Sequence, residues 1–83
     1  MNVEKIHEVS EDVGNGWSLC FQWCHYHHPN GYTEKGYRFI YEKPNGHLQP
    51  ARGQARIPSL KLARILMARA EREGWGDYDW DKE

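Results

Sequence analysis

A repeated tripeptide constrains the fold of this chain more than any other feature of its sequence. Pro-Asn-Gly occurs at residues 29–31 and again at 44–46, an offset of 15 residues. Proline presets the first corner of a type I turn, asparagine suits the second, and glycine adopts the left-handed conformation that follows at little steric cost. Each copy therefore predicts a tight hairpin between antiparallel strands.

The segments around these turns are typical of β-strands. Residues 17–26 and 37–43 are rich in aromatic and β-branched side chains, which favour strands. Residues 47–57 predict a weaker edge strand, bulged or partly looped, because Pro50 and Gly53 interrupt a hydrogen-bonded ladder.

Two other segments admit more than one interpretation. Apolar residues recur every three positions between Val3 and Val9, which suits a short helix, whereas residues 14–16 would close a hairpin after an N-terminal strand. We favour the strand. Residues 32–36 are either an extension of the first hairpin or a loop, with Gly36 a candidate bulge.

An amphipathic helix is predicted for residues 60–73, with a start signal at Pro58-Ser59 and a stop at Gly74. At about 100° per residue, one half of the helix is apolar and the other half is basic. The apolar half contains Leu60, Leu62, Ala63, Leu66, Met67 and Ala70. We expect it to cover one face of the sheet, with Trp75 packed against the helix end.

These elements predict an α+β fold in which a three- or four-stranded antiparallel meander packs against one C-terminal helix. At 83 residues and 9.8 kDa, the chain has room for one small domain. We expect a structured core at about residues 3–75 and a mobile acidic, aromatic tail at 76–83.

The sequence lacks the features of secreted and membrane proteins. Neither a secretory leader pattern nor a long apolar run is present, which predicts a cytoplasmic protein without a membrane span. Two cysteines, Cys20 and Cys24, are too few for a disulfide framework, so reduced thiols are expected.

Charge is strongly segregated along the chain. The formal net charge of the whole sequence is −1. The segment from Lys35 to Arg72, however, contains nine basic and two acidic residues and has a net charge of +7. Residues 1–15 carry −3 and residues 73–83 carry −4. This pattern indicates an anion-binding surface between acidic termini, and a solvated surface of mixed charge is the alternative.

The basic block is the main candidate for a binding site. Its members nearest the junction of the last strand and the helix are Arg52, Arg56, Lys61 and Arg64. Backbone N–H groups at a helix N-terminus also favour phosphate there. Arg38 alternates with aromatic residues, which either stack on nucleic-acid bases or fill the core beneath the arginines.

Metal binding and catalysis are less well supported. Cys20, Cys24 and His28 share one face of a strand, but positions four apart are about 13 Å distant, too far to share a zinc ion. A loop near the first turn could gather Cys24, His25, His27 and His28, although no recognised zinc spacing is completed. We predict no metal site, no catalytic residues and no cofactor, because motifs for phosphate loops and hydrolases are absent too.

The order of a three-stranded meander and one amphipathic helix, over residues 17–73, resembles the small β-β-β-α DNA-binding modules of phage-type integrases and plant AP2-type factors. The resemblance implies a sheet in the major groove with basic and aromatic side chains on its exposed face. A helix at residues 1–10 would instead make the chain similar to the double-stranded-RNA-binding fold.

We therefore expect a small non-enzymatic domain that binds nucleic acid through Arg38, Arg52, Arg56, Lys61 and Arg64. The alternative is a protein-interaction or dimerisation module, favoured by a small core, four tryptophans and the acidic aromatic tail. The chain is expected to be a monomer or a weak homodimer.

Overall fold

A computed structural model describes residues 2–49 and 56–75 of the chain. These residues form three strands, β1 (Asn2–Gly14), β2 (Trp17–His27) and β3 (Thr33–Glu42), followed by one helix, α1 (Leu60–Arg72). The strands lie side by side in chain order and pair antiparallel, with β2 in the centre. The predicted α+β meander with a C-terminal helix is confirmed.

The N-terminal segment is a strand, as the sequence favoured. Asn15 and Gly16 form the turn between β1 and β2, with φ angles of 54° and 82°. Two consecutive left-handed residues are the signature of a type I′ turn, whose twist matches that of the flanking strands. Because residues 2–14 form a strand, the likeness to the double-stranded-RNA-binding fold, which needs a helix there, is lost.

The first Pro-Asn-Gly turn joins β2 to β3. The Gly31 N–H donates to the His28 carbonyl at 3.0 Å, and Gly31 has a φ of 86°. β3 begins at Thr33, so residues 33–36 extend the hairpin. Gly36 pairs with Cys24 within an unbroken register, and the bulge considered there is absent from β3.

The second Pro-Asn-Gly turn forms without starting another strand. Gly46 again has a left-handed φ, 87°, but beyond it only Leu48 makes an isolated bridge to Glu42. The weak strand predicted over residues 47–57 is thus reduced to this contact among the described residues, and residues 50–55 lie outside them. The third strand of the meander is supplied by β1 instead.

Both ends of α1 are set by capping residues named from the sequence. The Ser59 hydroxyl accepts a hydrogen bond from the Leu62 N–H at 3.0 Å. Gly74, with a φ of 72°, follows the last turn, and the Trp75 N–H returns to the Ala70 carbonyl at 3.3 Å. This left-handed glycine cap satisfies carbonyls that the helix end would otherwise leave unpaired.

The helix covers one face of the sheet. The core cluster is Leu19, Phe21, Trp23, Leu66, Ala70 and Trp75. Alternate residues of β2 therefore point towards α1, and Trp75 packs at the helix end, as expected. The other residues of β2, among them Gln22, point to the opposite side of the sheet, which we call the open face.

Two residues of the predicted apolar half of α1 are not in the core. Leu60 is 81% exposed and Met67 46% exposed, whereas Leu66 is completely buried. At about 100° per residue, Leu60 and Met67 lie at the edge of the arc centred on Leu66 and Ala70. A sheet of three strands contacts only the centre of that arc, so its margins remain in solvent.

Candidate functional site

The predicted phosphate-binding residues lie on different surfaces. Arg38 is on the open face, as its bond to Gln22 shows, whereas Lys61 and Arg64 are exposed on α1, which packs on the opposite face. Arg56 precedes α1, and its carbonyl accepts a hydrogen bond from the Tyr41 hydroxyl at 2.6 Å. Arg52 lies outside the described residues. Arg38 and the helix cations therefore cannot contact one ligand as a single patch.

Arg38 is engaged in a polar chain across all three strands. Its Nε donates to Oε1 of Gln22 at 2.7 Å, and Nε2 of Gln22 donates to Oε2 of Glu8 at 2.6 Å. The Gln22 side chain is fully buried beneath its neighbours. Because the oxygen and the nitrogen of this buried amide are both hydrogen-bonded, the series from Arg38 through Gln22 to Glu8 has a structural role in the sheet.

The charge of the open face argues against phosphate binding there. Cross-strand pairing places on it the cations Lys5 and Arg38 and the carboxylates Glu8, Asp12, Glu34 and Glu42. Tyr26 is the single aromatic on this face within the described strands. A net negative surface with one aromatic ring lacks the basic and aromatic character that the resemblance to sheet-in-groove modules implies.

The two thiols also belong to the open face and are inaccessible. Cys20 and Cys24 are free cysteines, 1% and 0% exposed. Burial, reinforced by the Glu8 and Glu42 carboxylates, raises the pKa of Cys20 to about 12. Burial likewise raises the pKa of Cys24, against a smaller lowering by Arg38. Both thiols are therefore protonated and poor nucleophiles or metal ligands.

The histidines near the first turn separate into two groups. His25 and His27 lie on the side of the sheet that faces α1, opposite Cys24. His28 instead lies 2.8 Å from a carboxylate oxygen of Glu34, Nε2 to Oε1. A shared site for Cys24, His25, His27 and His28 is thus ruled out by the alternation of the strand.

The outer side of α1 carries a stripe of cations that we call the helix basic face: Lys61, Arg64 and Arg72. At about 100° per residue, the three lie within an arc of about 80°, over about 16 Å of helix. None of them has an ion pair among the described residues, and all three are exposed. Arg72 was not among the predicted contacts; its spacing of eleven residues from Lys61 is the sequence signal for it.

Arg69 differs from these three cations although it belongs to the same basic block. Its guanidinium binds the Glu11 carboxylate and donates to the Ser10 carbonyl at 3.1 Å. These contacts hold α1 against β1. Arg69 is therefore part of the helix–sheet interface, and the cations available to a ligand on α1 are those of the helix basic face.

An aromatic groove lies between α1 and β3. It has a volume of about 280 Å³ and is lined by Phe21, Tyr37, Met67, Ala70, Glu71 and Trp75. The Phe21 ring stacks on Tyr37 with centroids 5.4 Å apart, and the Tyr37 hydroxyl donates to the Trp75 carbonyl at 2.9 Å. The groove is thus a preformed apolar surface with one carboxylate at its rim.

Comparison with known proteins provides no relative from which a function could be inferred. No family model, curated protein or solved structure matches this chain. Among the described residues, no helix has the length and apolar character needed to cross a bilayer.

Proposed function

We propose that this chain is a small, non-enzymatic domain that binds the phosphates of nucleic acid through the helix basic face. The observation that carries the proposal is a contrast between the cations of α1. Arg69 is bound to Glu11 and holds the helix on the sheet. The residues of the helix basic face share one exposed side of α1 and have no ion pair among the described residues. Such a stripe is an electrostatic footprint for a polyanion.

We add Arg56, which lies four residues before the start of the helix, to the proposed phosphate contacts. It is exposed, and the Tyr41 bond to its carbonyl ties the segment before α1 to β3. Four cations in phosphate contact would give a slope of about −3.6 in a plot of log affinity against log salt concentration. Affinity for duplex DNA would then fall about 150-fold between ~50 and ~200 mM salt.

An amide-shift titration of the labelled chain tests the proposal. The ligands are short mixed-sequence duplex DNA, single-stranded DNA and duplex RNA, each at ~50 and ~200 mM salt. We expect shifts centred on residues 56–72 that weaken steeply at the higher concentration. The absence of shifts with all three ligands at low salt would overturn the proposal.

A matched pair of variants separates a specific surface from overall charge. Arg64→Gln removes one cation of the helix basic face and should lower affinity and reduce the salt slope by about one. Lys35→Gln removes one exposed cation on β3 and should change neither measurably. Equal losses in the two variants would show that only net charge matters.

The aromatic groove supports a second candidate function, a protein-interaction or dimerisation module. Met67 and Tyr37, which line it, are 46% and 40% exposed, so an apolar side chain of a partner could bury both. Sedimentation equilibrium of the chain would show self-association that Met67→Gln abolishes. Such an interface would be much less sensitive to salt than phosphate binding.

A further inference from the structure

One end of the sheet brings together three side chains from two strands, a carboxylate of β1 and two imidazoles of β2. His25 and His27 are two residues apart on β2 and therefore point to the same side, and Glu4 pairs with His25 from β1. The Glu4 Oε1 atom lies 3.1 Å from Nε2 of His27 and 4.0 Å from Nδ1 of His25. One ligand atom from each residue falls within 4.8 Å of the other two.

A β-bulge is responsible for the position of Glu4. The pairing register of β1 with β2 shifts between Lys5 and His7, so that Ile6 is the extra residue. Without that shift, the register of His7 with Trp23 would continue and would place Glu4 opposite Tyr26, on the open face. Because the bulge resets the alternation, the Glu4 carboxylate faces the two imidazoles; bulges commonly redirect a side chain in this way.

The cluster is accessible to solvent and its atoms are donors of the appropriate kind. The side chains of His25, His27 and Glu4 are 32%, 40% and 57% exposed, because they lie beyond Trp23, the last core residue of β2. Two imidazole nitrogens and a carboxylate oxygen are a ligand set of zinc proteins. Bonds of about 2.1 Å in a tetrahedron place ligand atoms about 3.4 Å apart, a spacing between the two distances observed.

We propose that Glu4, His25 and His27 form a binding site for a divalent transition-metal ion of the zinc class, with one coordination position left open to water or a further ligand. The site is formed by β1 and β2 and shares no residue with the helix basic face. Lys35 pairs with His25 from β3, so its ammonium is the charge that opposes a cation there.

Calorimetric titration of the full chain with zinc chloride tests the site, alongside imidazole nitrogen spectra of the same samples. We expect saturable binding of one ion per chain, with shifts in the His25 and His27 imidazoles and none in His28. His27→Gln should weaken binding by about ten-fold or more, as loss of a metal-supporting group does. Lys35→Gln should strengthen it a few-fold, because a nearby like charge is removed.

The control is His28→Gln, which removes a histidine next to the site that pairs with Glu34 instead. It should bind zinc as the unmodified chain does, and circular dichroism would show that every variant retains its fold. Absence of saturable binding by the unmodified chain would overturn the proposal and leave Glu4 and His27 as a simple hydrogen-bonded pair. Equal loss in His28→Gln and His27→Gln would overturn it as well, since binding would then be spread over several histidines.

Discussion

Arg38 donates from Nε to the buried Oε1 atom of Gln22 at 2.7 Å. This arginine, predicted from the sequence to bind phosphate, therefore forms a hydrogen bond within the sheet. Gln22 in turn donates to Glu8 and thereby links all three strands. Both hydrogen bonds in this series are made by one fully buried amide, that of Gln22.

Gln22→Ala should lower the free energy of unfolding by about 1–3 kcal/mol. The substitution removes the hydrogen bonds of Gln22 to Arg38 and to Glu8, and these two side chains must then be hydrated instead. Urea denaturation measures the change. Gln49→Ala, at an exposed position, should stay within about 0.5 kcal/mol and serves as the control. Equal effects in the two variants would contradict a structural role for the buried amide.

The Cys20 thiol makes stability depend on alkaline pH. Its pKa in the folded chain is raised to about 12 by burial, so the unfolded chain loses this proton at a lower pH than the folded chain does. The free energy of unfolding should therefore be unaffected by Cys20 at neutral pH and should fall as the pH rises from about 9 towards 12. Urea denaturation between about pH 9 and 12 compares the native chain with Cys20→Ala. The free energy of unfolding should fall less steeply with pH in the variant. Identical slopes would show that the Cys20 thiol does not cause the pH dependence.

Alkylation provides an independent check on both cysteines. Cys20 and Cys24 are buried and protonated, so iodoacetamide should modify neither in the folded chain at neutral pH and both after addition of denaturant. Mass spectrometry counts the adducts. Rapid modification without denaturant would show that the open face is far more accessible than the structure indicates.

The contrast between Leu66 and Leu60 tests the way α1 packs. Leu66→Ala removes a completely buried side chain from the core and should cost about 2–5 kcal/mol of stability. Leu60→Ala changes a residue that is 81% exposed and should alter stability by no more than about 0.5 kcal/mol. Thermal or urea denaturation distinguishes them, and a large loss in Leu60→Ala would mean that the helix is rotated from the position described.

The ion pair between Arg69 and Glu11 should contribute modestly to helix docking. Both side chains are about one-third exposed, at 35% and 37%, so water screens their attraction. A double-mutant cycle with Arg69→Met and Glu11→Gln should give a coupling energy of about 0.5–1 kcal/mol. Zero coupling would indicate that Arg69 acts only through the Ser10 carbonyl.

Local features of the fold could be predicted from sequence because they depend on neighbouring residues alone. The turn at Pro29-Asn30-Gly31, the cap at Ser59 and the stop at Gly74 each follow from the φ preferences of a residue and its nearest hydrogen bonds. The division of β2 into two faces follows in the same way from the two-residue period of a strand.

Strand partnership required the tertiary structure. The second Pro-Asn-Gly turn has the same hydrogen-bonded geometry as the first, yet Leu48 makes only a bridge to Glu42. β1 lies on the other side of β2 and leaves the outer edge of β3 free of any described strand, so the turn by itself does not decide whether a strand follows it. The sequence of a turn does not specify how far the residues after it will pair along the neighbouring strand.

The candidate sites show the same division. Sequence alone determined that α1 has a basic side and that His25 and His27 point in one direction, since both follow from the period of a single element. Only the tertiary structure decided that Arg38 is bonded to Gln22 and that a bulge at Ile6 turns Glu4 towards the two histidines. Those relationships join separate strands, and the register that creates them is set by packing of the whole sheet.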